Sequence, residues 1–371
     1  MKALLLGLKA DSILTAQLEP FADERKSLRR QLDLNVQYIE TQNLAQMEEA
    51  CQKYDSEAVF FFPFWREDAS EVVRTFQKIR SEYPDRQLIF VDPFAQGNTM
   101  FLGVLPYVDV LLKRQRFRDL NDYKREFVGG NEFIEFIARH WNIDLEGWSV
   151  SSEVPEGYEH RIASGWSLGT ARRFRKALRP PLFFPKRPIS KKLDVFCRLS
   201  LGHKRKQEWY CEYRMAAAKA LEPLESDYQI AVSALFIDDG LISKKQYARE
   251  LRQSRIVFSP FGWGETCWRD FEAICNDSLL VKPSMAHLDT QPNIFVENET
   301  YVPVRWDFAD LEEKCRHYLE HPEEAARIIK NARQVYTDYL ERGGFARTLE
   351  DILSKNHRTD NPSTEKLSST L

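Results

Sequence analysis

Several short apolar runs in this chain lack the polar alternation of a half-exposed strand. The clearest are "ALLLGL" (3–8), "AVFFFPF" (58–64) and "QLIFVDPF" (87–94). A strand that is apolar on both sides needs cover on both faces of its sheet, as in parallel sheets flanked by helices. "NVQYIE" (35–40) and "VDVLLK" (108–113) read as two more strands, and the pattern over 69–83 reads as an amphipathic helix between them. Such strand–helix alternation predicts a doubly wound α/β domain.

The rhythm then breaks. From Arg161 to Leu193 there is no Asp or Glu, while Arg and Lys recur and Pro180, Pro181, Pro185 and Pro188 cluster. Proline denies both helix and central strand, so residues 161–191 read as an extended interdomain connection. The alternation resumes with strands at 192–201, 228–237, 255–260 and 278–283. Helices are expected at 206–221, 244–253, after Glu265, and over 307–340. The expected architecture is therefore two Rossmann-like doubly wound domains, 1–160 and 192–354, facing a cleft. The polar residues 355–371 read as a disordered tail.

Composition narrows the function classes. With 371 residues, 43% hydrophobic and 29% charged, the chain has room for two cores. A net charge of −3 argues against a nucleic-acid partner. Six scattered cysteines, none in a C-x-x-C pair, read as reduced and buried, which suits a cytoplasmic protein. No transmembrane segment is evident; "MKALLLGLKAD" is interrupted by Lys9 and Asp11 and reads as a first strand. No Walker A loop, G-x-G-x-x-G or H-E-x-x-H occurs.

The stretch "FGWGETCWRDFEA" (261–273) carries the strongest chemical signal. It leaves the C-terminal end of the strand "RIVFSP", where open α/β sheets bind ligands. Gly262 and Gly264, around Trp263, permit close backbone approach to a ligand. The following helix start offers free N–H groups suited to a phosphate. Glu265, Arg269, Glu272 and Asn276 recur at helical spacing on one face, with Cys267, Trp268, Phe271, Ile274 and Cys275 on the other. A carboxylate can take a sugar diol and an arginine can grip phosphate oxygens. The same residues can equally form ordinary helix salt bridges, Glu265–Arg269 and Arg269–Glu272.

Residues 192–340 resemble the donor-binding domain of GT-B-fold glycosyltransferases of the group-one and spore-maturation type. The resemblance rests on "SPFGWGE", "WRDFEAI", "DSLLVKP" and "DFADLEEKCRHYLEHPEEAARIIKNAR". It implies that Glu272 holds a nucleotide ribose, that Glu265 faces the donor sugar, and that Arg269 contacts the donor. Glu265 and Glu272 stand one position closer than the glutamate pair of many retaining members. In "FCRLSLGHKRK", Arg198 with Lys204 or Lys206 would take the donor diphosphate. Glu265 and Arg198 are thereby the expected catalytic residues, and Lys204, Gly262, Trp263, Gly264, Arg269 and Glu272 the donor-binding ones. The resemblance further implies a nucleotide sugar as co-substrate, no cofactor, no metal, and closure of the two domains to exclude water.

Other readings stay open. The acceptor can be a glycan, a lipid-linked glycan or a small molecule. The basic run 161–192, with Arg172, Arg173, Arg175, Phe174, Phe183 and Phe184, can contact an anionic membrane or acceptor, or pair with acidic surfaces. Membrane contact would make the protein peripheral on the inner face. Asp92 and His160 are candidate bases for acceptor activation, and His287 can line the cleft. The alternatives to transfer are a silent nucleotide- or partner-binding module and a nucleotide-sugar epimerase.

Overall fold

The computed structural model describes residues 1–8, 12–179, 190–206 and 208–354. The expected disordered tail and the proline cluster 180–188 lie outside these residues, as do Phe183, Phe184, Lys9 and Asp11.

The first sheet contains β1 (Lys2–Gly7), β2 (Asn35–Glu40), β3 (Ala58–Phe62), β4 (Gln87–Val91) and β5 (Val110–Lys113), all parallel. After β5 the chain makes β6 (Gln115–Phe117), outside this sheet, and later returns as β7 (Ile162–Ser164) beside β5. The order is β2-β1-β3-β4-β5-β7. Central β3 is buried along its whole length, which is why its sequence does not alternate. Helices α1 (Ser12–Asp23), α2 (Arg25–Leu32), α3 (Leu44–Lys53) and α4 (Ala69–Glu82) belong to this half; α5 (Glu132–His140) packs Phe133 against Tyr213 and Phe261 of the second half, and α6 (Arg172–Leu178) follows β7.

The second sheet has parallel strands β8 (Leu193–Ser200), β9 (Ile230–Leu235), β10 (Ser254–Phe258), β11 (Leu279–Pro283) and β13 (Val302–Val304), in the order β13-β11-β10-β8-β9. Its helices are α7 (Tyr210–Lys219), α8 (Lys244–Gln253), α9 (Trp268–Cys275), α10 (Leu311–Glu320), α11 (Pro322–Glu341) and α12 (Gly344–Ser354). The helical region expected as one piece over 307–340 divides at His321, because Pro322 starts a new helix at its first position. Counted along the chain, both sheets share one order, with the first strand of each between the second and third. The two halves thus repeat an architecture without repeating a sequence.

Three expectations about organisation need correction. Residues 161–191 are not simply a connection: β7 completes the first sheet, and the Trp166 indole is fully buried, donating to Gln17 O at 2.9 Å. Helix α12 does not stay with the second domain. Phe345 packs edge-on against Phe21 (ring centroids 5.0 Å) and Trp166 (5.1 Å), so the chain's last described helix straps both halves together. Finally, the halves do not meet only across an open cleft. β6 pairs antiparallel with β12 (Leu288–Thr290) to form a two-stranded ribbon between them, reinforced by an Arg116–Asp289 ion pair at 2.5 Å.

The basic run is also accounted for where it is described. Arg172 pairs with Asp23 at 2.7 Å, Arg175 with Glu24 at 2.5 Å and Arg179 with Glu341 at 3.2 Å. Three of its arginines are thus matched by carboxylates, while Arg161 and Lys191 donate to Val108 O and Asn276 O. Among the described residues, no helix is long and apolar enough to cross a membrane.

Candidate functional site

In an open α/β sheet the crevice forms where the strand order reverses. In the second sheet that point lies between β8 and β10, beyond Ser200 and Phe258. A cavity of about 430 Å³ sits there. The first domain closes one side with Ile13, Ala95, Arg114 and Gln115; the second supplies Arg214, Tyr247, Trp263, Arg269 and Glu272. Arg173 on α6 and Trp268 at the start of α9 complete the wall.

Helix α9 begins at Trp268, three residues later than Glu265. Its start is fixed by Asp270, whose carboxylate accepts from Cys267 N at 2.8 Å in the manner of a capping box. Asp270 is itself buried against Lys282 at 3.2 Å and accepts from Ser259 Oγ at 2.5 Å. This anchoring presents Arg269 and Glu272 to the cavity. Glu272 accepts from the Tyr247 hydroxyl at 2.9 Å and pairs with Arg173 at 3.2 Å. Burial pushes the Tyr247 phenol up, so it remains a donor near neutrality. Arg173 lies over the Trp268 ring at 4.3 Å, which orients its guanidinium.

The other arginines are held differently. Arg214 donates to the carbonyl oxygens of Ser200 and, at 3.3 Å, of Phe261. Arg269, only 9% exposed, donates to Arg198 O at 3.1 Å, and its buried Nε has no hydrogen-bond partner among the described residues. Neither makes an ion pair among the described residues. Carbonyls orient a guanidinium without neutralising it, so both charges remain for a ligand. Burial holds the Arg214 guanidinium below the usual arginine range, a mark of charge kept out of water. With Arg114 and Arg173, four arginines line one cavity whose sole carboxylate among the described residues is Glu272, so its described ionic lining is predominantly cationic.

Several sequence-predicted site residues lie elsewhere. Glu265 is fully buried and does not line the cavity. It precedes the helix, so the expected Glu265–Arg269 stripe does not form. Its carboxylate accepts instead from Gln115 Nε2 at 2.5 Å and Asn131 Nδ2 at 2.9 Å, both from the first domain. Arg198 turns away from the cavity and pairs with Glu250 on α8 at 2.8 Å. Lys204 is exposed, pairs with Asp239 and also lies outside the cavity wall. Lys206 is exposed and pairs with Glu208.

The glycines serve close approach, but to protein. A Cβ on Gly262 would overlap the Arg214 guanidinium, and one on Gly264 would overlap the carbonyl of Ala95 in the first domain. Neither glycine has a positive φ. Asp92 is fully buried, ion-paired to Lys113 at 2.5 Å and bonded by Thr99 Oγ1 at 2.5 Å, so it is a structural node. His287 packs edge-on to Trp306 at 5.1 Å and sits 3.9 Å from Glu265; neither it nor His160 lines the cavity.

Of the expected set, the cavity gathers Trp263, Gly264, Arg269 and Glu272. Sequence reasoning missed Arg214, Tyr247 and Arg114 as site residues. Arg214 lies in "EYRMAAAK", which reads as an unremarked helix. Arg173 stood in the basic run singled out for an anionic partner.

Comparison with known proteins bears on the fold. Residues 217–350, about a third of the chain, match the family model described as "Glycosyl transferase-like". An alpha-glucosyltransferase (AGT) in complex with UDP aligns over 96% of this chain and 100% of its own, with a TM-score of 0.50 at 8% identity. The alpha-glucosyltransferase in complex with UDP and a 13-mer DNA containing a central A:G mismatch gives 96%, 100%, 0.50 and 7%. A glycosyltransferase from Rickettsia africae ESF-5 gives 96%, 99%, 0.49 and 9%. No curated protein matches. The chain has the GT-B fold, and residues 217–350 are similar to the glycosyl transferase-like family model.

Proposed function

We propose that the protein transfers a sugar from a nucleoside-diphosphate sugar to an acceptor. The observation that carries this reading is the pair Arg214, half-buried, and Arg269, buried: both are oriented by carbonyls and without an ion-pair partner among the described residues, at the switch point of the second sheet. Departure of a nucleoside diphosphate builds negative charge on phosphate oxygens. Preorganised guanidinium groups in a water-poor cavity stabilise that charge without reorganising. In this reading Arg173 and Arg114 add to the field, Glu272 takes the ribose hydroxyls, and Trp263 and Trp268 flank the base or sugar. Neutralisation of the diphosphate is assigned to these arginines. The neighbours solved with UDP make UDP-sugars the first donors to try.

One observation favours a second reading. Among the described residues, Glu272 is the only carboxylate in the cavity wall, and it is already engaged by Tyr247 and Arg173. An engaged carboxylate is poorly placed to take a proton from an acceptor, which suits a nucleotide-binding module without turnover. The test is release of UDP from UDP-sugars, measured with wild-type protein and with Arg214→Ala, in the presence of a panel of sugar acceptors. Release that depends on acceptor and falls in the variant supports transfer. UDP binding without release supports the module, and release without any acceptor supports an epimerase or hydrolase.

A further inference from the structure

On the far side of Trp263 lies a second cavity, of about 440 Å³, that the transfer reading does not use. Its wall is made by three half-buried indoles, Trp148, Trp209 and Trp263. Their ring centroids are 5.5 Å (Trp148–Trp263), 6.0 Å (Trp209–Trp263) and 6.1 Å (Trp148–Trp209) apart. Contacts at these separations leave no room for a ligand between the rings. The three indoles, tilted to one another by 26°, 37° and 52°, line the cavity together. Around it stand Asp144, Glu146 and Glu212, none in an ion pair among the described residues. The remaining ionic residues there, Lys206 and Glu208, pair with each other at 3.2 Å.

The two cavities thus have opposite electrostatic character across one shared indole. The donor cavity has four arginines and one carboxylate; the second has three unpaired carboxylates beside π faces. Indole faces attract cations, and carboxylates at the rim reinforce that attraction. We infer that this second cavity binds a small organic molecule through a protonated or quaternary amine. If the transfer reading holds, this cavity is the acceptor subsite, and that role rests on that reading; the binding itself does not.

Choline and its uncharged isostere 3,3-dimethylbutan-1-ol separate cation recognition from simple apolar binding. Each is titrated into the full chain at constant ionic strength, with tryptophan fluorescence and calorimetry as readouts. Choline is expected to bind at least about fivefold more tightly than the isostere, in keeping with a cation–π contact. The exposed double variant Glu146→Gln/Glu212→Gln is expected to lose most of that preference while binding UDP as wild type does. Equal binding of the two probes, no binding of choline, or an unchanged preference in the double variant would overturn the inference. UDP titrated separately keeps the two readings apart, since choline can bind where UDP does not.

Discussion

The carboxylate of Glu265 accepts a hydrogen bond from the Gln115 side chain at 2.5 Å, although the residues stand 150 positions apart and in different domains. A residue expected to face a sugar instead ties the two halves together. Removing it in Glu265→Ala would strip the buried Asn131 amide of its acceptor and leave Gln115 Nε2 with Ala95 O alone. The expected cost is about 1–3 kcal/mol of stability, seen as a lower midpoint in denaturant unfolding. Nucleotide affinity of the folded protein should fall less than in Glu272→Ala, because Glu265 is not in the cavity wall and acts on it only through Gln115. A large affinity loss at unchanged stability would return Glu265 to the donor site.

The interdomain ribbon makes a separate demand. With β6 paired to β12 and Arg116 to Asp289, opening would break backbone hydrogen bonds and an ion pair together. Small-angle scattering with and without UDP should therefore give the same radius of gyration. A contraction on binding would show that the ribbon yields and that the expected closure occurs.

Glu272 and Tyr247 form a carboxylate–hydroxyl pair in the cavity wall. Tyr247→Phe removes one hydrogen bond and should weaken UDP binding by about 0.5–1.5 kcal/mol. Glu272→Ala should cost about 1–3 kcal/mol if ribose hydroxyls are left unpaired. Calorimetry checks both; unchanged affinities would reduce Glu272 to a partner of Arg173.

Lys191 gives a pH signature. It is held on Asn276 O at 2.7 Å and Ser278 Oγ at 2.9 Å, and burial lowers its pKa to about 8. The folded value lies below the unfolded value of about 10.4, so between these limits the unfolded chain holds more protons. This group's contribution to stability therefore rises with pH across that window and is least favourable below pH 8. Reductive methylation with isotopic label and NMR titration should show one lysine near 8; a Lys191 titrating in the ordinary range would refute the assignment.

Much of the fold was legible because apolar runs report burial directly. The sequence boundaries of β2 and α8 coincide with the structure. The stripe at Glu265 was misread because helical spacing was extended past the helix start, which Asp270 sets through tertiary contacts with Lys282 and Ser259. Arg198 was misplaced because its side chain leaves the strand toward Glu250 on α8, a partner 52 positions away. The glycines of "FGWGE" signalled close approach correctly, but spacing cannot tell a ligand from Arg214 or Ala95. Arg214 was invisible because a cation on a helix acquires meaning only when the fold buries it beside a cavity.

The most direct measurement compares UDP with uridine by calorimetry on the wild-type chain. If Arg214 and Arg269 grip the diphosphate, UDP should bind at least about tenfold more tightly than uridine, since hydrogen bonds to charged groups contribute about 1.5–3 kcal/mol each. Absence of UDP binding at millimolar concentration, or equal affinity for uridine, would contradict an anion-binding donor cavity.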